Sequence, residues 1–287
     1  MTQNTHLPLN PEAADPALSG SRSQPRFQSG SGRFRSGKPV AVVTGASRGL
    51  GLELARELAR SGWRLVLTAR GEPDLARAAA ELGKPTEINA LAGSIVDDDH
   101  RAELAHAAAQ FGGADLLINN ASTLAGFDLD GAPMPTIAQF PLVGLLETFE
   151  VNVLAPLALT QLLLPQLRLR HGRIINISSD AAVEAYAGWG GYGASKAALD
   201  HASAILAQEE PDITVWSVDP GDMRTRMHAE AFPGEDISDR PLPESVVPAF
   251  RRLLDESPGS GRYRAADLLG SAPGTPRTPL VPLMEEV

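Results

Sequence analysis

The sequence predicts an α/β fold, a Rossmann-like doubly wound parallel sheet in a single domain, and three observations carry that prediction. Short β-branched runs alternate with segments of helical apolar spacing, a glycine-rich turn joins the first run to the first helix, and 43% of the 287 residues are hydrophobic, enough to bury one large core. Strands alternating with helices of this length imply right-handed crossovers and a parallel sheet covered on both faces.

The elements follow in order from Pro39. Val40 to Val43 is a strand, and Leu50, Leu54 and Leu58 mark the first helix, which Gly62 closes. Arg64 to Thr68 reads as the second strand, Leu75 to Leu82 as a helix and Glu87 to Leu91 as the third strand. His100 to Gln110 follows as a helix capped by one of Asp97 to Asp99, then Asp115 to Asn119 as the fourth strand. A long helical region from about Leu142 to Leu167 precedes a strand at Arg173 to Ser178, a helix from about Gly193 to Gln208 and a strand at Ile213 to Val218. Beyond them lie a helix-like stretch, Glu244 to Leu254, a short strand around Arg262 to Ala265, and a proline-rich end with Pro273, Pro276, Pro279 and Pro282. The strand–helix units differ in length and motif, so no short-period repeat is present.

Residues 1–37, rich in Pro, Ser, Gly, Gln and Arg, lack apolar periodicity and a signal-like apolar run, and are expected to be a disordered tail. Residues 38–287 form the predicted domain. Through Lys38 the chain carries five basic residues against Glu12 and Asp15, leaving 20 basic against 33 acidic in the body. The overall charge of −10 argues against nucleic acid as a partner. The absence of cysteine excludes disulfides, a catalytic thiolate and thiolate-bound zinc. Val151 to Leu169 is the most apolar long stretch, but Asn152, Pro156, Thr160, Gln161 and Pro165 interrupt it, so no membrane span is expected. No His-Glu-x-x-His or comparable cluster occurs among the six histidines, and no metal is expected.

Thr44-Gly45-Ala46-Ser47-Arg48-Gly49-Leu50-Gly51 lies where glycines let a backbone turn sharply and approach a pyrophosphate at a helix N-terminus. Its Gly-x-x-x-Gly-x-Gly spacing differs from Gly-x-Gly-x-x-Gly, and by itself it also suits a tight structural turn. At the end of the second strand, where a carboxylate would receive a ribose 2′-hydroxyl, the chain reads Thr68-Ala69-Arg70. Arg48 and Arg70 are suited to a 2′-phosphate, which predicts NADP(H), with NAD(H) disfavoured; the alternative is local pairing of Arg70 with Glu72 or Asp74.

Tyr192 and Lys196 stand one helical turn apart in a chain with three tyrosines and three lysines, a coincidence expected in about three sequences in a hundred. On one helix face the ammonium can stabilise a phenolate and lower the phenol toward working pH, although the same spacing suits a surface pair. Ser179 lies thirteen residues before Tyr192, at the carboxyl edge of the sheet, where a hydroxyl can polarise a carbonyl.

With these residues in view the chain from about Pro39 to Thr225 resembles a classical short-chain dehydrogenase/reductase. The resemblance rests on Thr44-Gly45-x-x-x-Gly49-x-Gly51, Asn119-Asn120-Ala121, Asn152, Ile177-Ser178-Ser179, Tyr192-x-x-x-Lys196, and Pro220-Gly221 followed by Thr225. It implies hydride transfer between cofactor and a carbonyl or alcohol, with Tyr192 as proton donor or acceptor, Lys196 on the nicotinamide ribose and Ser179 on the reacting oxygen. By the same resemblance Asn152 would position a water linking Lys196 to solvent. Gly45, Ser47, Arg48, Gly49, Leu50 and Gly51 would lie along the pyrophosphate and ribose phosphate, Asn119 and Ala121 along the middle of the cofactor, and Pro220, Gly221 and Thr225 at the nicotinamide. Tyr186 and Trp189 are expected to line the substrate pocket, and residues 222–243 to form a mobile lid.

The resemblance also implies a cytoplasmic homodimer or homotetramer assembled through the helices beginning near Leu142 and Gly193. Three departures stand out: Ser122 replaces the usual glycine after Asn119-Asn120-Ala121, Gly93-Ser94-Ile95-Val96 lacks the family's adenine-contacting Asp, and the stretch from Ala121 to Asn152 is long. The competing reading is a non-catalytic NADP-binding redox sensor; an epimerase or dehydratase of the extended branch would have a longer chain and different glycine spacing.

Overall fold

A computed structural model of the chain describes residues 37–83, 86–124 and 134–270. The expected N-terminal tail, the C-terminal prolines and part of the Ala121–Asn152 stretch therefore lie outside the described residues. Seven strands form one sheet in the order β3-β2-β1-β4-β5-β6-β7, and every pairing is parallel. They are β1 (Val40–Thr44), β2 (Arg64–Ala69), β3 (Ile88–Ala92), β4 (Leu116–Asn119), β5 (Arg173–Ile177), β6 (Thr214–Asp219) and β7 (Gly261–Arg264).

Alternation along the strands feeds two cores. Ala41 and Val43 of β1 join Leu65, Leu67, Ile118 and Trp216 under α1 (Gly49–Arg60), α2 (Glu72–Leu82) and the two last helices, α8 (Val247–Glu256) and α9 (Ala265–Gly270). Val40 and Val42 point the other way, with Val66, Leu117, Ile174 and Val215, beneath α3 (Asp98–Gln110), α5 (Ala155–Arg170) and α6 (Gly190–Glu209). Burial on both faces is what the near-continuous apolar strands require.

The sequence expectations for the elements hold with adjusted ends. Asp97 is the cap of α3, its carboxylate accepting from the His100 backbone N–H at 2.9 Å. The long helical region expected from about Leu142 to Leu167 consists of three segments: α4 (Leu142–Phe149), a π turn over Glu150–Leu154, and α5. α6 begins three residues before its expected start, and Gly190 and Gly191 of its first turn pack where a Cβ would lie 2.4 Å from Ile137 Cγ1 and 2.5 Å from Phe140 Cε2. The 29-residue span Leu142–Arg170 is long and apolar enough to cross a membrane by length and composition alone. In this fold it is the crossover from β4 to β5, with Leu159, Leu163 and Leu167 in the core.

At the amino edge of the sheet, Asp115 accepts the Val40 N–H at 2.9 Å and is paired with Arg170 at 3.0 Å. Its backbone bonds to Val40 O and to the Arg173 N–H, so β1, β4, β5 and the end of α5 are fastened around one carboxylate. The opposite, carboxyl edge reverses strand order between β1 and β4, and there a cleft opens.

Candidate active site

The cleft, about 1080 Å³, runs from the ends of β2 and β3, across β1 and β4, to the ends of β5 and β6. Its floor is the glycine turn. Gly45 and Gly49 adopt φ values of +66° and +58°, and a Cβ on Gly51 would sit 2.4 Å from Gly45 O, so α1 can start against the turn only with glycine there. The N-cap of α1 is Arg48, whose side chain makes no capping bond, leaving the first N–H groups directed at the cleft. Thr44 Oγ1 accepts from the N–H groups of Asn120 and Ala121 at 3.0 and 2.9 Å, and Asn120 Nδ2 donates to Thr44 O at 2.9 Å. These bonds lock the ends of β1 and β4 together beneath the cleft.

Gly45, Ser47, Arg48, Gly49, Leu50, Arg70, Ala121, Pro220, Gly221 and Thr225 all line the cleft. Gly51 stands behind the wall. Asn119 turns away from it, its amide donating 2.8 Å to Asn176 Oδ1 on the adjacent strand, so that Asn120 is the asparagine of the pair that reaches the cleft. Arg48 and Arg70 are exposed, and among the described residues neither forms an ion pair; Asp74, the local partner considered for Arg70, is engaged by Arg77 at 2.8 Å. At the third-strand end Ser94 lines the cleft. Behind it the buried His100 imidazole lies 2.7 Å from Thr68 Oγ1 and occupies the space a Cβ on Gly93 would need. Burial pushes that imidazole below its ordinary value.

At the other end of the cleft β5 delivers Ser179 and α6 delivers Tyr192 and Lys196. Ser179 Oγ lies 2.9 Å from Asp180 Oδ1, and its hydroxyl is hydrogen-bonded to Tyr192. The Lys196 ammonium donates 2.7 Å to Ile177 O and stands 5.4 Å from the centre of the Tyr192 ring. Ser178 lies beside this group and donates 2.7 Å to Asp200.

The lowered tyrosine expected from the sequence is reversed in the protein alone. Burial holds the Tyr192 phenol above its ordinary value, Asp219 and Asp180 push the same way, and hydrogen bonds with Ser179 and Ser122 oppose them. Burial also pushes Lys196 down to about 8, with Asp200 opposing. The physical reason is that both groups leave water, while the ammonium faces the ring and spends a hydrogen bond on a carbonyl rather than on the phenol oxygen.

Asn152 sits in the π turn, 1% exposed and outside the cleft wall. Its Oδ1 accepts from Ser122 Oγ at 3.0 Å and the Thr123 N–H at 2.9 Å; its Nδ2 donates to Thr123 O at 2.9 Å and Ser195 Oγ at 3.0 Å. Ser122 therefore joins Asn152 to the tyrosine, a contact that reading the position only as a lost glycine does not reveal.

Trp189 meets Tyr192 edge to face at 5.6 Å and Phe232 at 5.9 Å, giving the outer cleft an aromatic side. Within 222–243 the charges are largely satisfied locally: Arg226 pairs with Glu230, Arg240 with Asp222 and Asp239, and Arg224 bonds to Ser238 O. Thr225 caps α7 (Arg226–Ala231) by accepting from the His228 N–H. No cluster of metal-ligating side chains occurs among the described residues.

A parallel sheet with a glycine-floored cleft at its switch point, and a Tyr–Lys pair beside a strand-end serine, defines a dinucleotide-dependent oxidoreductase. Residues 39–236 match the model of the short chain dehydrogenase family, and the chain belongs to that family. It is 32% identical over 224 residues to the oxidoreductase YciK of Escherichia coli K12, covering 76% of this chain and 86% of the relative. An alcohol dehydrogenase from Thermococcus sibiricus, solved with 5-hydroxy-NADP, superposes with a TM-score of 0.70 at 26% identity, over 79% of this chain and 95% of the other. A short chain dehydrogenase from Escherichia coli CFT073, solved with NADPH, gives a TM-score of 0.70 at 29% identity, over 80% and 97%. The chain is thus an NAD(P)-binding oxidoreductase of the CH–OH/C=O class.

Proposed function

We propose that the protein is an NADP(H)-dependent oxidoreductase that interconverts a carbonyl and an alcohol with Tyr192 as acid/base, and that it works as a homodimer or homotetramer. The observation that carries the reading is the convergence of Tyr192, Lys196 and Ser179 on one end of a cleft whose other end presents Arg48 and Arg70, which have no ion-pair partner among the described residues. The residues fit the cofactor. A Cβ on Gly51 would fill the place the glycine turn needs, Arg48 at the N-cap of α1 makes no capping bond to the first N–H groups, and the guanidiniums of Arg48 and Arg70, which line the cleft, would serve a 2′-phosphate. The neighbours solved with 5-hydroxy-NADP and with NADPH support binding of NADP(H).

When bound, the cofactor supplies or accepts the hydride. The chain holds the reacting oxygen between the Ser179 hydroxyl and the Tyr192 phenol, and Tyr192 delivers a proton to that oxygen in reduction or removes one in oxidation. Lys196, fixed by Ile177 O, holds the nicotinamide ribose, and Asn152 braces Ser122, Thr123 and Ser195 around it. Residues 222–243 close over the substrate, and Tyr186 and Trp189 line its pocket.

Leu142, Val143 and Leu146 on α4 are 75%, 75% and 71% exposed, and Ile205 on α6 is 46% exposed; we assign this apolar face to a second copy of the chain. The test of the chemistry is Tyr192→Phe, which removes only the phenol hydroxyl. Reduction of aldehydes, ketones or quinones by NADPH is expected to fall by about 10²–10⁴-fold with cofactor affinity kept within a few-fold. Turnover near that of the parent protein would overturn the assignment.

A further inference from the structure

We propose that Arg262, on the edge strand β7 and beyond the residues that match the family model, is a positioning residue that fastens three parts of the active site to one buried guanidinium. The inference rests on the NADP(H) oxidoreductase reading above. Arg262 is 6% exposed. Its Nε donates 2.9 Å to Asp200 Oδ2, its Nη2 donates 2.8 Å to Ser179 O, and Nη2 lies 3.6 Å from Asp219 Oδ2.

Each partner leads to a different piece of the site. Ser179 carries the hydroxyl bonded to Tyr192, so holding its carbonyl fixes the direction from which that hydroxyl approaches. Asp200 is one turn beyond Lys196 on α6 and also receives the Ser178 hydroxyl at 2.7 Å. Asp219 ends β6 and accepts the Gly221 N–H at 2.9 Å, which holds the Pro220-Gly221 turn against the cleft.

Charge makes the arrangement interdependent. Two carboxylates at 14% and 6% side-chain exposure share one guanidinium at 6%, and removing the cation leaves both partly desolvated and facing each other's field. Burial already raises Asp219, and Arg262 is among the groups that hold it down. A lysine keeps the charge but offers a compact ammonium in place of a rigid fork directed at three acceptors. The position thus calls for arginine, and the calling residues are all in or next to the cleft's nicotinamide end.

The test separates the two halves of the cofactor by titrating Arg262→Met, Arg262→Lys and the parent protein with NADPH and with 2′,5′-ADP, which lacks the nicotinamide half. Circular dichroism and thermal melts establish which variants fold, and Arg262→Lys carries the test if Arg262→Met does not. A misplaced nicotinamide end is expected to cost on the order of tenfold to a hundredfold in NADPH affinity for Arg262→Met and less for Arg262→Lys, with 2′,5′-ADP binding within about threefold. On a carbonyl that the parent reduces, kcat falls for Arg262→Met and is partly restored in Arg262→Lys. Equal losses for both ligands, or no loss for either in a folded variant, would overturn the role given to Arg262. A parent protein that binds neither ligand would instead overturn the NADP(H) reading and take this inference with it.

Discussion

Replacing Arg48 and Arg70 by alanine, singly and together, tests the choice of cofactor. Both side chains are exposed, line the same end of the cleft and lack ion pairs among the described residues, so neither substitution breaks an internal bond. Hydrogen bonds to charged groups contribute about 1.5–3 kcal/mol, and solvent exposure places these at the low end, about 1.5 kcal/mol for each guanidinium on a 2′-phosphate. That corresponds to about tenfold in NADPH affinity per arginine, and about a hundredfold for the pair if the two contacts add. NADH carries no 2′-phosphate, so its affinity is expected to stay within about threefold. Fluorescence titration with both nucleotides at low and high salt reads the effect, and the parent's preference for NADPH shrinks as salt screens the exposed charges. Equal losses for NADPH and NADH, or a parent protein that prefers NADH, would refute the reasoning.

Gly51→Ala places a methyl 2.4 Å from Gly45 O and 2.5 Å from Asn120 Nδ2, so the turn must move; NADPH affinity is expected to fall on the order of tenfold to a hundredfold by titration, with a lowered Tm. Leu142→Glu with Leu146→Glu alters residues 75% and 71% exposed, so light scattering is expected to show monomers while the unfolding free energy of the subunit changes by about 0.5 kcal/mol per site or less. Lys196, held near 8 when folded and ordinarily at 10.5, binds its proton more tightly in the unfolded chain. Stability therefore rises with pH between those values, and the penalty for burying the ammonium is fully present below the lower one. Lys196→Met is expected to remove that pH dependence, so the Tm difference between variant and parent changes across pH 8 to 10.5; a constant difference would contradict the burial of a titrating lysine.

The inner strands were legible because they announce themselves locally: Val40 to Val43 is apolar on both faces, and Ile174, Ile175 and Ile177 leave Asn176 as the one polar residue in that run, as a covered parallel sheet demands. The glycine turn, the Tyr–Lys pair and the strand-end serine were legible because each depends on short spacing. What escaped depends on packing between distant parts. The helix expected from about Gly193 starts at Gly190, and only the structure shows Ile137 and Phe140 occupying the space beside Gly190 and Gly191. The turn of Asn119 away from the cleft follows from its register opposite Asn176, and one polar side chain inside a β4 of four residues gives no hint of it. The raised Tyr192 phenol reflects burial, which the spacing to Lys196 does not report. Arg262 is invisible in sequence because its three partners come from the loop just after β5, from α6 and from β6.

The fastening of β1, β4 and β5 around Asp115 gives the domain one rim whose geometry is set by a carboxylate and another whose walls are loops. Strand register is decided at the first rim, before the chain reaches any residue that meets a substrate. The segments that follow Asn120, Ser179 and Gly221 can therefore exchange side chains, or lengthen, while the distance between the glycine turn and Tyr192 stays fixed. Divergence in what such a protein acts on is then expected to be written on the carboxyl rim, with the amino rim acting as the datum from which the chemistry is measured.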